Sequence, residues 1–106
     1  MTEGPENVAV LVGSNVTLRC AGTDLGWDEY VSNPGILILI SFRTSVVKPN
    51  KYDLITEPTG RYDLTIKSIQ LTQGGLYRCN ALNAERSYTF VQVITFNGEL
   101  LLLFLP

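Results

Sequence analysis

Leu71-Thr72-Gln73-Gly74-Gly75-Leu76-Tyr77-Arg78-Cys79 joins a tight turn, the start of a strand and the second of only two cysteines. Gly74-Gly75 suits a sharp change of chain direction, because glycine enters turn conformations that other residues resist. From Leu76 to about Leu82 the residues then read as one strand. Every other segment is placed relative to this corner.

A chain of 106 residues has the size of one domain, large enough to bury a core and too small for two. The expectation is therefore a single domain over 1–106. Hydrophobic residues make up 45% and charged residues 17%, with a net charge of -2, which is the composition of a folded globular protein. The eight Lys and Arg are scattered, with no basic run, so nucleic acid is not an expected partner. Charge-driven binding to a membrane surface is disfavoured on the same ground. No cleavable leader precedes Thr2, so the chain reads as a mature segment.

Cys20 and Cys79 stand 59 positions apart, which is neither a metal-ligand spacing nor a redox motif. A long-range disulfide is the natural reading, and it requires an oxidising compartment. Two buried free thiols are the alternative.

Upstream, Val8–Val12 and Val16–Cys20 read as strands on either side of the turn residues Gly13-Ser14-Asn15. Val16, Leu18 and Cys20 alternate with Thr17 and Arg19, so Leu18 and Cys20 point to the core. Leu25 and Trp27, two apart, share one face of the next strand. Ile36–Ile40 follows a turn at Ser32–Gly35 and shows no polar alternation at all. Val46-Val47 forms a short edge strand before Pro49. Lys51–Ile55 and Tyr62–Ile66 are near repeats across Glu57–Gly60 and read as a hairpin. Leu71 is expected to pack beneath the corner. Asn83–Arg86 is read as a turn, and Tyr88–Thr95 returns as a strand. The apolar run in the tail Phe96–Pro106 is far shorter than the ~20 residues that span a bilayer.

Cys20, Trp27, Leu64-Thr65-Ile66, Tyr77 and Cys79 together resemble an immunoglobulin-superfamily domain over nearly the whole chain. The resemblance implies an all-β, two-sheet Greek-key sandwich with one inter-sheet disulfide, Cys20–Cys79. It also implies a core of Trp27, Tyr77, Leu18, Leu64 and Ile66, with the Tyr77 hydroxyl bonding back to upstream backbone. The family pattern at the corner is Asp-x-Gly-x-Tyr-x-Cys, and here Gln73 replaces the Asp. The family's Asp pairs with a base at the position of Lys51, so a neutral Gln73–Lys51 hydrogen bond is expected in its place. Cys79-Asn80-Ala81-Leu82-Asn83 resembles intermediate-type adhesion domains. The interval between the cysteines, with room for further strands, resembles the variable type instead. Phe96–Pro106 has the length of the joining segment that closes variable domains, with Phe96, Leu102 and Pro106 in matching places and Asn97 and Glu99 where glycines belong. The chain is read as a variable-type domain closed by that tail as strand G.

Catalysis has no parts to work with. There is no His, so nucleophile–His pairs and the usual zinc sets cannot be assembled. Ser45-Val46-Val47-Lys48 matches an acyl-enzyme string without its partner motifs. Asp24, Asp28 and Glu29 read as a solvated face rather than a calcium site. No enzyme activity, metal or cofactor is expected. Asn15-Val16-Thr17 is an N-glycosylation sequon on a turn.

In the variable-type arrangement strands G, F, C and C′ share a sheet whose outer face is ordinarily polar. Here Ile36–Ile40 and Leu100–Leu105 are apolar on both faces. Such a patch calls for a cover. The expected interface is Ile36, Leu37, Ile38, Leu39, Ile40, Leu101 and Leu103, and the expected partner is a second copy or a similar variable-type domain. The expected function is non-enzymatic recognition by an extracellular, immune-type receptor, secreted or held at the plasma membrane by a segment outside this chain. The alternative is a cell-adhesion module from a tandem array, and a fold of the tail over C′ within one molecule is the alternative cover.

Overall fold

Alternation along the sequence becomes alternation of burial: in Val16-Thr17-Leu18 the two aliphatic residues are buried and the threonine is exposed. The computed structural model describes residues 1–31, 35–82 and 85–95. Its strands are β1 (Val8–Leu11), β2 (Val16–Leu18), β3 (Gly26–Val31), β4 (Ile36–Phe42), β5 (Ser45–Val46), β6 (Tyr52–Ile55), β7 (Asp63–Ile66), β8 (Gly75–Asn80) and β9 (Arg86–Ile94). They form a six-stranded sheet in the order β1-β9-β8-β3-β4-β5 and a three-stranded sheet in the order β2-β7-β6. All neighbours are antiparallel except β1, which runs parallel to β9. In immunoglobulin lettering these orders are A′-G-F-C-C′-C″ and B-E-D.

The two sheets enclose one core. Leu18, Trp27, Leu64, Ile66, Tyr77 and both cysteines lie in it, with Leu25, Ile40, Ile69 and Val91. Cys20 and Cys79 are joined in a disulfide that ties the end of β2 to β8, one sheet to the other. Trp27 is fully buried, and its indole N–H donates to the Tyr62 carbonyl oxygen at 2.7 Å. That bond removes the one polar penalty of burying the ring.

The corner behaves as its sequence implies, with two differences. Gly75 has a φ of 140°, a region closed to most side chains. Tyr77, fully buried, donates its hydroxyl proton to the Gln73 carbonyl oxygen. Burial pushes that phenol well above its ordinary pKa. The Gln73 side chain does not serve Lys51. Its Oε1 accepts the Gln70 N–H at 2.8 Å, and it stands in hydrogen-bonding contact with Tyr52. A neutral amide can close this single turn of 3-10 helix, Leu71–Gln73, from within. Leu71 is also not beneath the corner: it is 55% exposed, and Ile69, fully buried, fills that place.

The strand at the G position is not the one expected: Arg86–Ile94 occupies it, hydrogen-bonded to β8 on one side and β1 on the other. Arg86 is thus the first residue of β9, not part of a turn. The tail assigned to strand G, with Leu101 and Leu103, lies outside the described residues, as do the centres of the two expected turns at 32–34 and 83–84.

One polar cluster carries no sequence signature. Arg61 contacts Glu3 and Asp63, each at 2.6 Å, and Asp63 accepts the Cys20 N–H at 2.9 Å. The cluster ties the N-terminal segment to β7 beside the disulfide.

Candidate functional site

Fully buried Trp27, Tyr77, Cys79, Thr89 and Val91 identify the inner face of β3, β8 and β9, so the residues alternating with them face outward. Strand register then arranges the outer face in rows. Phe42, Gly26, Asn80 and Arg86 form the first row, and Leu39, Asp28, Arg78 and Tyr88 the second. Leu37, Tyr30, Leu76 and Phe90 form the third. Phe42, Leu39, Leu37, Tyr30, Tyr88 and Phe90 are all between 38% and 54% exposed. Large exposed apolar side chains thus stand on β4, β3 and β9, with part-buried Leu76 of β8 between Tyr30 and Phe90.

At the centre of this apolar face sits an ion pair. Arg78 Nε and Nη2 donate to the two Asp28 carboxylate oxygens, each at 2.9 Å, and Asn80 Nδ2 donates to Asp28 Oδ2 at 3.0 Å. The side chains of Arg78 and Asp28 are only 12% and 13% exposed. Hydrogen bonding to Asp28 raises the Arg78 pKa further, so the guanidinium stays charged. The bidentate geometry neutralises both charges locally, and the face presents no single sign. Beside the pair, the missing side chain of Gly26 leaves an open groove of about 330 Å³ bordered by Phe42, Asn80 and Arg86. A Cβ on Gly26 would stand 2.9 Å from the Ser41 carbonyl oxygen, so strand pairing itself demands the glycine.

The expected interface residues divide. Leu37 and Leu39 belong to the outer face. Ile36 and Ile38 are exposed on the opposite side of β4, across from Val31 and Glu29. A three-stranded sheet cannot cover the whole inner side of a six-stranded one, which leaves that end of β4 open. Ile40 is a correction: it is 2% exposed and belongs to the core. It alternates with Leu39 onto the inward side that Ile36 and Ile38 also take, and the register shift between Trp27 and Asp28 brings Ser41 inward after it. Tyr30, Phe42, Leu76, Tyr88 and Phe90 were missed, although alternation outward from Cys79 and Trp27 would have found most of them.

The acidic trio is not one solvated face. Asp28 is held in the ion pair, and Asp24 pairs with Arg43 at 3.4 Å. Glu29 lies on the inner side of β3, where burial pushes its carboxyl above the usual range against the pull of Lys48 and Lys51. Among the described residues no three His, Cys, Asp or Glu side chains gather to hold a metal ion. No helix among them is long and apolar enough to cross a membrane. Asn15 is exposed on the turn between β1 and β2, where its Oδ1 accepts the Ser68 N–H at 2.8 Å.

No family model matches the sequence, and no curated protein matches it. Solved structures do. The RIG-5 IG1 homodimer is 24% identical, with a TM-score of 0.72 over 90% of this chain and 95% of that one. The first Ig domain of mouse polymeric immunoglobulin receptor is 17% identical, with a TM-score of 0.74 over 90% and 95%. Dpr1 IG1, solved bound to DIP-eta IG1, is 18% identical, with a TM-score of 0.71 over 88% and 92%. With the A′-G-F-C-C′-C″ and B-E-D strand orders and the Cys20–Cys79 bridge between the sheets, the chain has the immunoglobulin fold in its variable-type strand arrangement.

Proposed function

We propose that residues 1–106 are one non-enzymatic recognition domain of an extracellular receptor, which pairs through the outer face of the large sheet with a second copy or a similar domain. The observation that carries this reading is the outer face of β4, β3, β8 and β9, where Leu37, Leu39, Phe42, Tyr30, Tyr88 and Phe90 stand exposed around the Asp28–Arg78 pair. So many large apolar side chains on one face call for a cover, and its central charges are already neutralised by each other, so a like face suits it better than a strongly charged one. Two structural neighbours support pairing: RIG-5 IG1 was solved as a homodimer, and Dpr1 IG1 was solved bound to another IG1 domain. The Cys20–Cys79 bridge suits an oxidising, extracellular setting.

In sedimentation equilibrium at high micromolar concentration the oxidised domain is expected to dimerise, burying on the order of 1,200–2,000 Å². Leu39→Asp places a charge on an exposed face residue and is expected to weaken dimerisation by about 100-fold or more, roughly 2.7 kcal/mol, without unfolding the domain. A parent chain that stays monomeric, or a Leu39→Asp variant that dimerises as well as the parent, sinks the reading.

The second reading is a cell-adhesion module of a tandem array. It is favoured by neighbours in which the match spans about half of a longer chain: 48% of a chain in the complex of Dpr11 IG1 with DIP-gamma IG+IG2 and 48% of Rst D1-D2. A full-length transcript with further immunoglobulin repeats would select it, and one with a single domain above a membrane span would select the immune-type receptor.

Asn15 is proposed as an N-glycosylated position. It stands at the edge of the three-stranded sheet, whose outer face carries the polar pairs Thr17–Thr65 and Lys67–Asp53. A glycan there leaves the apolar face open. Domain secreted from eukaryotic cells should carry added mass that endoglycosidase removes and that Thr17→Ala lacks; an unmodified secreted parent overturns the assignment.

A further inference from the structure

The layout of the apolar face restricts how two copies can meet. We propose, on the basis of the pairing reading above, that two copies associate about a two-fold axis running along the strands between β3 and β8. Asp28 of each copy then lies opposite Arg78 of the other.

A two-fold that presses one face against an identical face must lie in the plane between them. Two directions are natural for a sheet. An axis across the strands at the middle row places Asp28 on Asp28 and Arg78 on Arg78. An axis along the strands between β3 and β8 exchanges β3 with β8 and β4 with β9. Rows keep their level, and Asp28 meets Arg78, Leu39 meets Tyr88, Leu37 meets Phe90, and Tyr30 meets Leu76. Facing sheets cross at about 30°, so the correspondences hold best near the axis.

Electrostatics chooses between the two. The Asp28–Arg78 pair keeps only 13% and 12% of its side-chain surface in water, and a second copy removes that remainder. Desolvating an ion pair is unfavourable unless new opposite-charge contacts offset it. The axis along the strands supplies them, because each carboxylate gains a second guanidinium and the four groups alternate in sign. The axis across the strands brings like charges together in a water-excluded layer, where repulsion is strongest.

Shape agrees. Asn80 meets the groove left by Gly26. Phe42 meets Arg86 of the other copy. The Phe42 ring already has one guanidinium, Arg43, 5.1 Å from its centroid, so it accepts cations.

Single cysteines read the register. Leu39→Cys and Tyr88→Cys are made separately, both at exposed positions, and each is treated with a thiol–thiol crosslinker of about 10 Å span, the usual spacing of facing sheets. Each variant alone should remain uncrosslinked, while the equimolar mixture should give a covalent heterodimer. A dimeric parent in which Leu39→Cys crosslinks to itself, or in which the mixture does not crosslink, overturns the register and leaves the pairing reading standing. A monomeric parent overturns the pairing reading itself.

Discussion

Replacing Cys20 and Cys79 together by alanine lowers the unfolding free energy by about 4 kcal/mol in the chain-entropy model. The bond joins residues 59 apart and ties the two sheets together, so the reduced chain regains a large loop's worth of unfolded conformations. Both cysteines are fully buried among Leu18, Trp27 and Tyr77, and losing the two sulfur atoms leaves space that the neighbours fill only in part. Against a typical domain stability of about 5–15 kcal/mol, that loss is a large fraction. Urea denaturation of the parent and the double variant, followed by circular dichroism, measures it. Reducing the parent with dithiothreitol should move its midpoint in the same direction. A loss below about 1 kcal/mol would show that the cross-link constrains the unfolded chain little.

Trp27→Ala is expected to cost about 3–5 kcal/mol, the range for deleting a large aromatic side chain from a close-packed core. The indole is fully buried and touches the centre of the cluster that both sheets share. Trp27→Phe separates the two parts of its contribution. It retains most of the apolar volume but leaves the Tyr62 carbonyl oxygen without the 2.7 Å indole bond, at a cost of about 1–3 kcal/mol. Trp27 is the only tryptophan, so the parent is followed by fluorescence and both variants by circular dichroism. Equal losses for Phe and Ala would mean that the hydrogen bond, not the volume, dominates at this position.

The fold was legible from few residues because they sit where local and tertiary demands coincide. Tyr77 two before Cys79 implied a hydroxyl returning to upstream backbone, and it reaches Gln73. The near repeat around Glu57–Gly60 implied a hairpin, and β6 and β7 pair as one. Asp28 illustrates the limit. From sequence it is one carboxylate in an acidic loop, because nothing local announces Arg78, which lies 50 residues away. Gln73 is similar: the departure from the family residue was visible, but its new partners, Gln70 and Tyr52, were not.

By itself the sequence determined which residues alternate and where the corner turns, since these follow from period-two patterning and glycine conformation, while the bridge between the sheets was implied by the family resemblance. Only the tertiary structure decided that Leu37 and Leu39 face outward while Ile40 is core, and that Arg86–Ile94 rather than the tail takes the edge between β8 and β1. An all-apolar strand carries no mark of its outer side, and the register shift beside Trp27 turns both Ile40 and Ser41 inward, so alternation counted from one end fails at the other. Strand order depends on hydrogen bonds between segments far apart in the chain, so the face that Tyr30, Tyr88 and Phe90 complete exists only once β3, β8 and β9 lie side by side.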